Sequence, residues 1–372
     1  MINKTAAPRD SLTDAQVTAL LVSPAITVAS GLELIDPTTL IATEDISDIL
    51  AGGSVRRDNY ATLHGSCVLN LSQSQDFTGN LYRPYMNITD KETGVEARFN
   101  LGAYYLSNPT VPLQGGTISA DGFDVLLSLH DPVGDTYHLH TGDNYITSVE
   151  AILTARGLTA TIEPSATTLP AGRVWAMDDN LTWLNICNDL LAAAGYRGLW
   201  SDDSGALRAD PYMPPADRSA EWAYDATSAE TIVGMERFLT SDTFQAPNRW
   251  VFIRDNPSGG ATSTGDGIYE YSNTTSGPTS STILGRVVTK VVRLEAASQA
   301  DLVTQAEAII ERDSDLDAIL DLATGPNPLH WHFDVVSYAD IPTLYLPAKY
   351  SARSWQLDLA TGKMEHVWKA VR

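Results

Sequence analysis

The chain has 372 residues, 43% of them hydrophobic, enough for two or three domains with real cores, and its composition excludes a disordered chain. A net charge of −22 spread along the sequence argues against binding nucleic acid by phosphate neutralisation. No run approaches the roughly 20 apolar residues of a membrane span, and two cysteines are too few for a disulfide framework or a zinc site. Met1 to Asp14 has no charged-then-apolar secretion signal, so synthesis and assembly in the cytosol are expected, with no membrane insertion. Cys67 and Cys187 fall on apolar faces and are expected to be buried free thiols.

In chain order, Ser11-Leu12-Thr13-Asp14 matches a capping box and predicts a short helix to about Leu21. Ala25 to Ile35 alternates as a strand, ended by Asp36-Pro37, and Glu44 to Ala51 is a short helix or a loop. From Val55 to Leu129 strand patterns follow one another. Cys67, Leu69 and Leu71 alternate with polar neighbours; Leu81 to Ile88 puts Tyr82, Met86 and Ile88 on one side; Val95 to Tyr105 alternates throughout. Pro84 predicts an edge or a bulge, because proline cannot donate to a ladder. Thr110 to Ala120 reads as a hairpin around Gly115-Gly116, and Phe123, Leu126 and Leu127 as a short closing helix. The pattern predicts an antiparallel meander curled into a barrel.

After Leu129 the period changes. Ile146, Val149, Ile152 and Leu153 mark a helix stopped at Gly157. Asn180 would cap a second helix, with Trp183, Leu184, Cys187, Leu190 and Leu191 inward and Gly195 at its end. Tyr196 to Trp200 and Ala206 to Asp210 would pair around Asp202-Asp203-Ser204-Gly205, making residues 132–205 a small inserted α/β domain. Beyond Pro211, Pro214 and Pro215, strands are expected at Arg249 to Arg254, Gly267 to Ser272 and Arg286 to Leu294. Polar Gly/Ser/Thr loops lie at Asn256 to Asp266 and Asn273 to Thr282. Ser298 to Arg312 is a capped helix with Leu302, Ala306, Ile309 and Ile310 inward. His330 to Val336, Thr343 to Leu346, Tyr350 to Leu357 and Met364 to Val371 are strands. The fold class is mainly β (α+β).

No set of residues carries an enzyme's signature. His330 and His332 would share one face of a strand and His138 and His140 form a similar pair, but a third ligand at metal-site spacing is missing. Asp202-Asp203-Ser204-Gly205 lacks the ordered ligands and closing glutamate of a calcium loop and reads as a turn. Gly65-Ser66-Cys67 is not a nucleophile elbow, and neither a P-loop nor a dinucleotide fingerprint occurs. Catalytic residues, cofactors and metals are therefore each assigned as none. The eight tryptophans sit mostly within predicted elements, where core packing is the usual role.

The series "VRRDNYATLHGSCVLNL", "NLYRPYMNI", "ARFNLGAYYLSNPTV" and "ISADGFDVLLSL" resembles the first barrel of tail hub proteins of long-tailed bacteriophages, the minor tail proteins related to the baseplate hub of contractile-tailed phages. "APNRWVFI", "ILGRVV" and "SWQLDLATGKMEHVWKAV" resemble, more thinly, their second barrel. The resemblance implies a first hub barrel over 1–131, completed by about 206–222 after the insert at 132–205, and a second over 223–372 with one crossing helix. It implies a homotrimer with pseudo-sixfold symmetry in the virion. Distal tail or tail-tube rings would lie above, tip, spike or fibre proteins below, with the tape-measure protein as a further contact and a channel through which DNA passes without specific binding. A cell-wall carbohydrate-binding or peptidoglycan-degrading tail protein is the alternative reading.

Overall fold

The computed structural model describes residues 7–73, 75–177, 180–228, 232–241, 246–254, 267–275, 279–294, 296, 299–314, 318–340 and 349–371. The chain is mainly β and divides into two compact units, Met1–Glu236 with Leu322–Trp368, and Arg237–Asp321 with Lys369–Arg372.

The first unit opens with β1 (Ala7–Pro8) and α1 (Asp14–Val22). The cap is Thr13 rather than Ser11: its hydroxyl accepts from the Gln16 N–H while the Gln16 side chain accepts from the Thr13 N–H. Glutamine at the third helical position closes that box, and Asp14 adds negative charge to the first turn. Eight strands follow: β2 (Ile26–Ile35), β3 (Ala42–Asp45), β4 (Leu50–Asp58), β5 (Gly65–Leu71), β6 (Leu81–Asp90), β7 (Glu96–Asn100), β8 (Tyr104–Thr110) and β9 (Ile118–Asp124). Between Glu44 and Ala51, where a short helix or a loop is expected, the helical part is one 3-10 turn, Ser47–Ile49.

The long alternation from Val95 to Tyr105 is two strands, not one. Gly102, at φ +107°, breaks it, and a Cβ there would fall 2.3 Å from Arg57 Nη2. Pro84 lies inside the sheet, opposite Leu32 of β2, at the point where β6 changes its other neighbour from β8 (Leu81, Tyr82) to β7 (Tyr85 to Thr89). The missing donor falls in that gap. Gly115 and Gly116, both at positive φ, turn the β8–β9 hairpin, and a 3-10 helix, Val125–Leu129, closes the meander with Phe123 left in β9.

The inserted lobe is built from β10 (Tyr137–Leu139), α2 (Tyr145–Ala155), β11 (Ala160–Ile162), β12 (Arg173–Trp175), α3 (Trp183–Ala193), β13 (Trp200–Ser201) and β14 (Leu207–Ala209). Its α3 cap is Thr182, boxed with Asn185, rather than Asn180. Leu184, Cys187, Leu190 and Leu191 are fully buried, in one core with Val149, Ile152 and Leu153 of α2 and with Val125, Leu126 and Leu129 of the meander. The strand from Leu207 does not join the sheet of the meander. β14 pairs parallel to β11 and antiparallel to β13, so it completes the lobe instead. A short strand of alternating pattern carries no record of which sheet it joins.

β15 (Trp222–Asp225) and β16 (Val233–Ser241) follow. In the second unit β17 (Arg249–Arg254) pairs antiparallel with β18 (Ile268–Ser272) and parallel with β19 (Thr289–Leu294), the latter preceded by α4 (Ser281–Leu284). These three strands form their own sheet. On it α5 (Gln299–Ser314) buries Leu302, Ala306 and Ile310 against Trp250 and Phe252. The Ser298 cap and the loop Asn256 to Asp266 lie outside the described residues, as does the strand expected at Thr343 to Leu346.

β20 (Ala318–Thr324) leads back, and the first unit ends with β21 (Val335–Ala339), β22 (Lys349–Asp358) and β23 (Met364–Ala370). β21 pairs parallel with β15 and antiparallel with β22, and β22 pairs antiparallel with β4. One sheet therefore runs β1-β7-β6-β8-β9-β5-β4-β22-β23, joining strands from the two ends of the chain. Trp355, Leu357 and Met364 share a core with Leu32, Val55, Leu69 and Met86.

Candidate functional site

A buried polar site of the first unit lies where the inserted lobe meets the meander. β4 alternates so that Val55 and Arg57 face inward, and β9 does the same for Ala120, Gly122 and Asp124. Gly65, paired with Arg57 across β4 and β5, separates the two ionisable groups with no side chain of its own. A Cβ there would sit 2.7 Å from Asp124 Oδ2 and 2.9 Å from Arg57 Nη1. Glycine thus lets two fully buried charges meet, at 3.5 Å.

The carboxylate accepts from Gly65 N–H at 2.8 Å, Leu126 N–H at 3.2 Å and the Ser201 hydroxyl at 3.2 Å. Arg57 donates to the Ser201 carbonyl and hydroxyl at 3.3 and 3.1 Å, tying β4 to β13 of the lobe. Its guanidinium lies over the Trp331 ring at 4.2 Å. Burial pushes the Asp124 pKa up, and Arg57, His64 and the two backbone N–H groups oppose that. Burying a charge is tolerated only when it is paired and hydrogen-bonded, which this one is.

The expected strand from His330 is a turn as far as Asp334, with β21 beginning at Val335. The Asp334 carboxylate holds the turn by accepting from Trp331 N–H and pairing with His330 Nδ1. His330 and His332 therefore do not share a strand face. His330 joins Tyr224, Asn327, His366 and Trp368, its Nε2 2.7 Å from the Tyr224 hydroxyl. His332 stacks on His64 at 4.7 Å and lies against Phe333. His138 and His140 are exposed and touch only edge to face, with 5.3 Å between centroids. Among the described residues no group of three His, Cys, Asp or Glu is placed to hold a metal.

Asp202 Oδ1 accepts from Ser204 N–H and Ala206 N–H, and Oδ2 from Arg208, so the acidic turn spends its carboxylate on the hairpin. Cys67 and Cys187 are buried and free, and burial pushes the Cys187 thiol up to about 12. Trp175, Trp250, Trp355 and Trp368 are core residues and the other four are half-buried. Ser201, beside a carboxylate and an arginine, is wholly buried.

Sequence reading missed the Arg57–Asp124–Ser201 knot. Its signal was present: opposite charges at inward positions of two strands that otherwise bury Val55, Ala120 and Gly122. Apolar side chains are instead left exposed at the β8–β9 hairpin tip (Val111, and Leu113 at 99% exposure), on β16 (Met235 at 95%) and on the lobe (Val174, Met177, Tyr212, Met213).

No protein-family model matches the sequence, and no curated protein matches it. Solved structures do. The tail protein from Neisseria meningitidis MC58 is similar with a TM-score of 0.66 and 12% identity, over 92% of this chain and 96% of that one. The 43 kDa tail protein of prophage MuSo2 from Shewanella oneidensis gives a TM-score of 0.61 and 12% identity, over 92% and 98%. A chain of the Francisella PdpA–VgrG complex gives 0.55 and 10%, over 97% of this chain and 60% of that one. The fold of this protein is that of bacteriophage tail proteins, along more than nine-tenths of its length.

Proposed function

We propose that this protein is the structural hub at the tip of a bacteriophage tail, and that it carries no catalytic centre. The observation that carries this reading is the likeness to two tail proteins, one of them from a prophage, over nearly the full length of both chains. Each copy contributes two hub barrels, about 1–131 and 223–372, to the ring. Three copies close a ring through heterologous contacts, so that six barrels face sixfold tube rings above while the whole stays threefold toward a tip, spike or fibre below. Edge strands supply those contacts, since unpaired edges left open invite aggregation. The hub is assembled in the host cytoplasm and acts in the virion.

Copy number and symmetry in an intact tail test this directly. Three copies per tail, each with two barrels in the ring, is the expected result; six or twelve copies would overturn it. The charge of −22 adds a second expectation. DNA leaving through the ring must not be held by its wall, and a basic wall would bind phosphates by releasing counterions. The channel of the assembled ring is therefore expected to be lined mainly by Asp and Glu. A density map of the tail tip showing a lysine- and arginine-lined channel would rule this out.

A further inference from the structure

His332 is wholly buried, and neither ring nitrogen has a hydrogen-bond partner. A neutral imidazole carries one donor and one acceptor, so both go unsatisfied in a site that also leaves Arg57 Nε, Arg57 Nη2 and Trp331 Nε1 without partners. The turn that carries it is held between the two parts of the first unit. On the meander side His332 stacks on His64. On the lobe side Trp200 packs on Trp331 and Phe333, and Arg197 lies over Phe333 at 4.6 Å.

The charged groups around it are unbalanced. His64, Arg57 and Arg197 all act against a positive charge on His332. Arg57 is committed to Asp124, and Asp58 and Asp124 act on His64. Arg197 answers to Arg218, Tyr212, Asp210 and Glu221.

We propose that His332 is a proton-operated release for the junction between the inserted lobe and the barrel. A proton gained there sets a further cation beside Arg57 and Arg197 in a buried site. Parting the Trp331–Phe333 turn from Trp200 and His64 admits water and relieves it. Burial and the neighbouring cations hold the His332 pKa well below its ordinary value. The closed form thus binds fewer protons than the open one, whose imidazole titrates near ~6.5. Stability of the junction is complete above that pH and declines as pH falls below it.

Hydrogen exchange read by mass spectrometry, corrected for intrinsic rates, tests the release at pH 7.5 and 5.5. One pH unit below the open-state value, opening is favoured by about tenfold. A loss of protection of about that size is expected in peptides covering Gly65–Leu71, Trp200–Leu207 and Val335–Ala339, before the second unit changes. His332→Phe keeps the ring stacking and cannot take a proton, so it should lose less than about threefold over the same interval; His332→Leu serves if that variant does not fold. Replacing His138 and His140 by alanine should leave the tenfold effect intact. Wild-type protection that is unchanged, or lost uniformly over both units, overturns the proposal, as does a His332 variant that keeps the full pH effect.

Discussion

Replacing Arg57 by alanine is expected to lower the unfolding free energy by about 3–5 kcal/mol, the loss typical when one partner of a buried ion pair is removed. Both groups are 0% exposed, so the variant leaves the Asp124 carboxylate buried with its N–H and O–H donors but without a cation. Trp331 also loses the guanidinium stacked over its ring. Removing both charges should be far milder. Arg57→Met with Asp124→Asn restores apolar volume and keeps one carbonyl oxygen, so that one of the Gly65 and Leu126 N–H groups, which bond different carboxylate oxygens, stays paired, and should recover part of the loss. Urea unfolding of the single and double variants checks this, and a single-variant loss under about 1 kcal/mol would mean the pair contributes little. Added salt should hardly change the result, because a pair sealed from solvent is poorly screened.

Leu184→Ala is expected to cost about 2–5 kcal/mol, as leucine truncations in closed cores do. Leu184 is fully buried on α3 among Cys187, Leu190, Leu191 and the facing residues of α2. Because that core continues into Val125, Leu126 and Leu129, the loss should appear in the unfolding of the whole first unit rather than as a separate early transition of the lobe. A measured loss under about half a kilocalorie would place the buried face of α3 elsewhere.

These residues also mark what the sequence could and could not tell. The α2 and α3 faces were legible because helical spacing of apolar residues over three turns admits one reading, and the following glycines stop both helices at positive φ. The meander from Gly65 onward was legible for the same reason at period two. Caps were misplaced by two residues, since Ser11, Thr13, Asn180 and Thr182 are all competent caps and only the third helical residue decides. His330 to Asp334 resembled a strand because histidine, tryptophan and phenylalanine suit strands, yet Asp334 folds the segment back on itself. The hairpin of Tyr196 to Trp200 with Ala206 to Asp210 was legible and forms as β13 and β14, but the pairing of β14 with β11 was not, nor was the separate sheet made by β17–β19. Local alternation fixes which side chains face a core but not which sheet a strand joins. The knot of Arg57, Asp124 and Ser201 needed three distant segments at once, and no window of sequence contains it.

The pairing of β4 with β22 bears on how the protein is born. On the ribosome β4 emerges roughly 300 residues ahead of its partner, which at 5–20 residues per second is an interval of about 15–60 s. Through that interval the nascent meander presents a bare ladder of amide groups, next to Val55 and Leu69 that later shelter behind Trp355 and Leu357. Such long-range closure makes folding slow and leaves the unfinished chain open to strand exchange with sister chains on the same message. Truncations that stop short of Lys349 should accordingly be found in aggregates, while the complete chain folds from the same amino terminus.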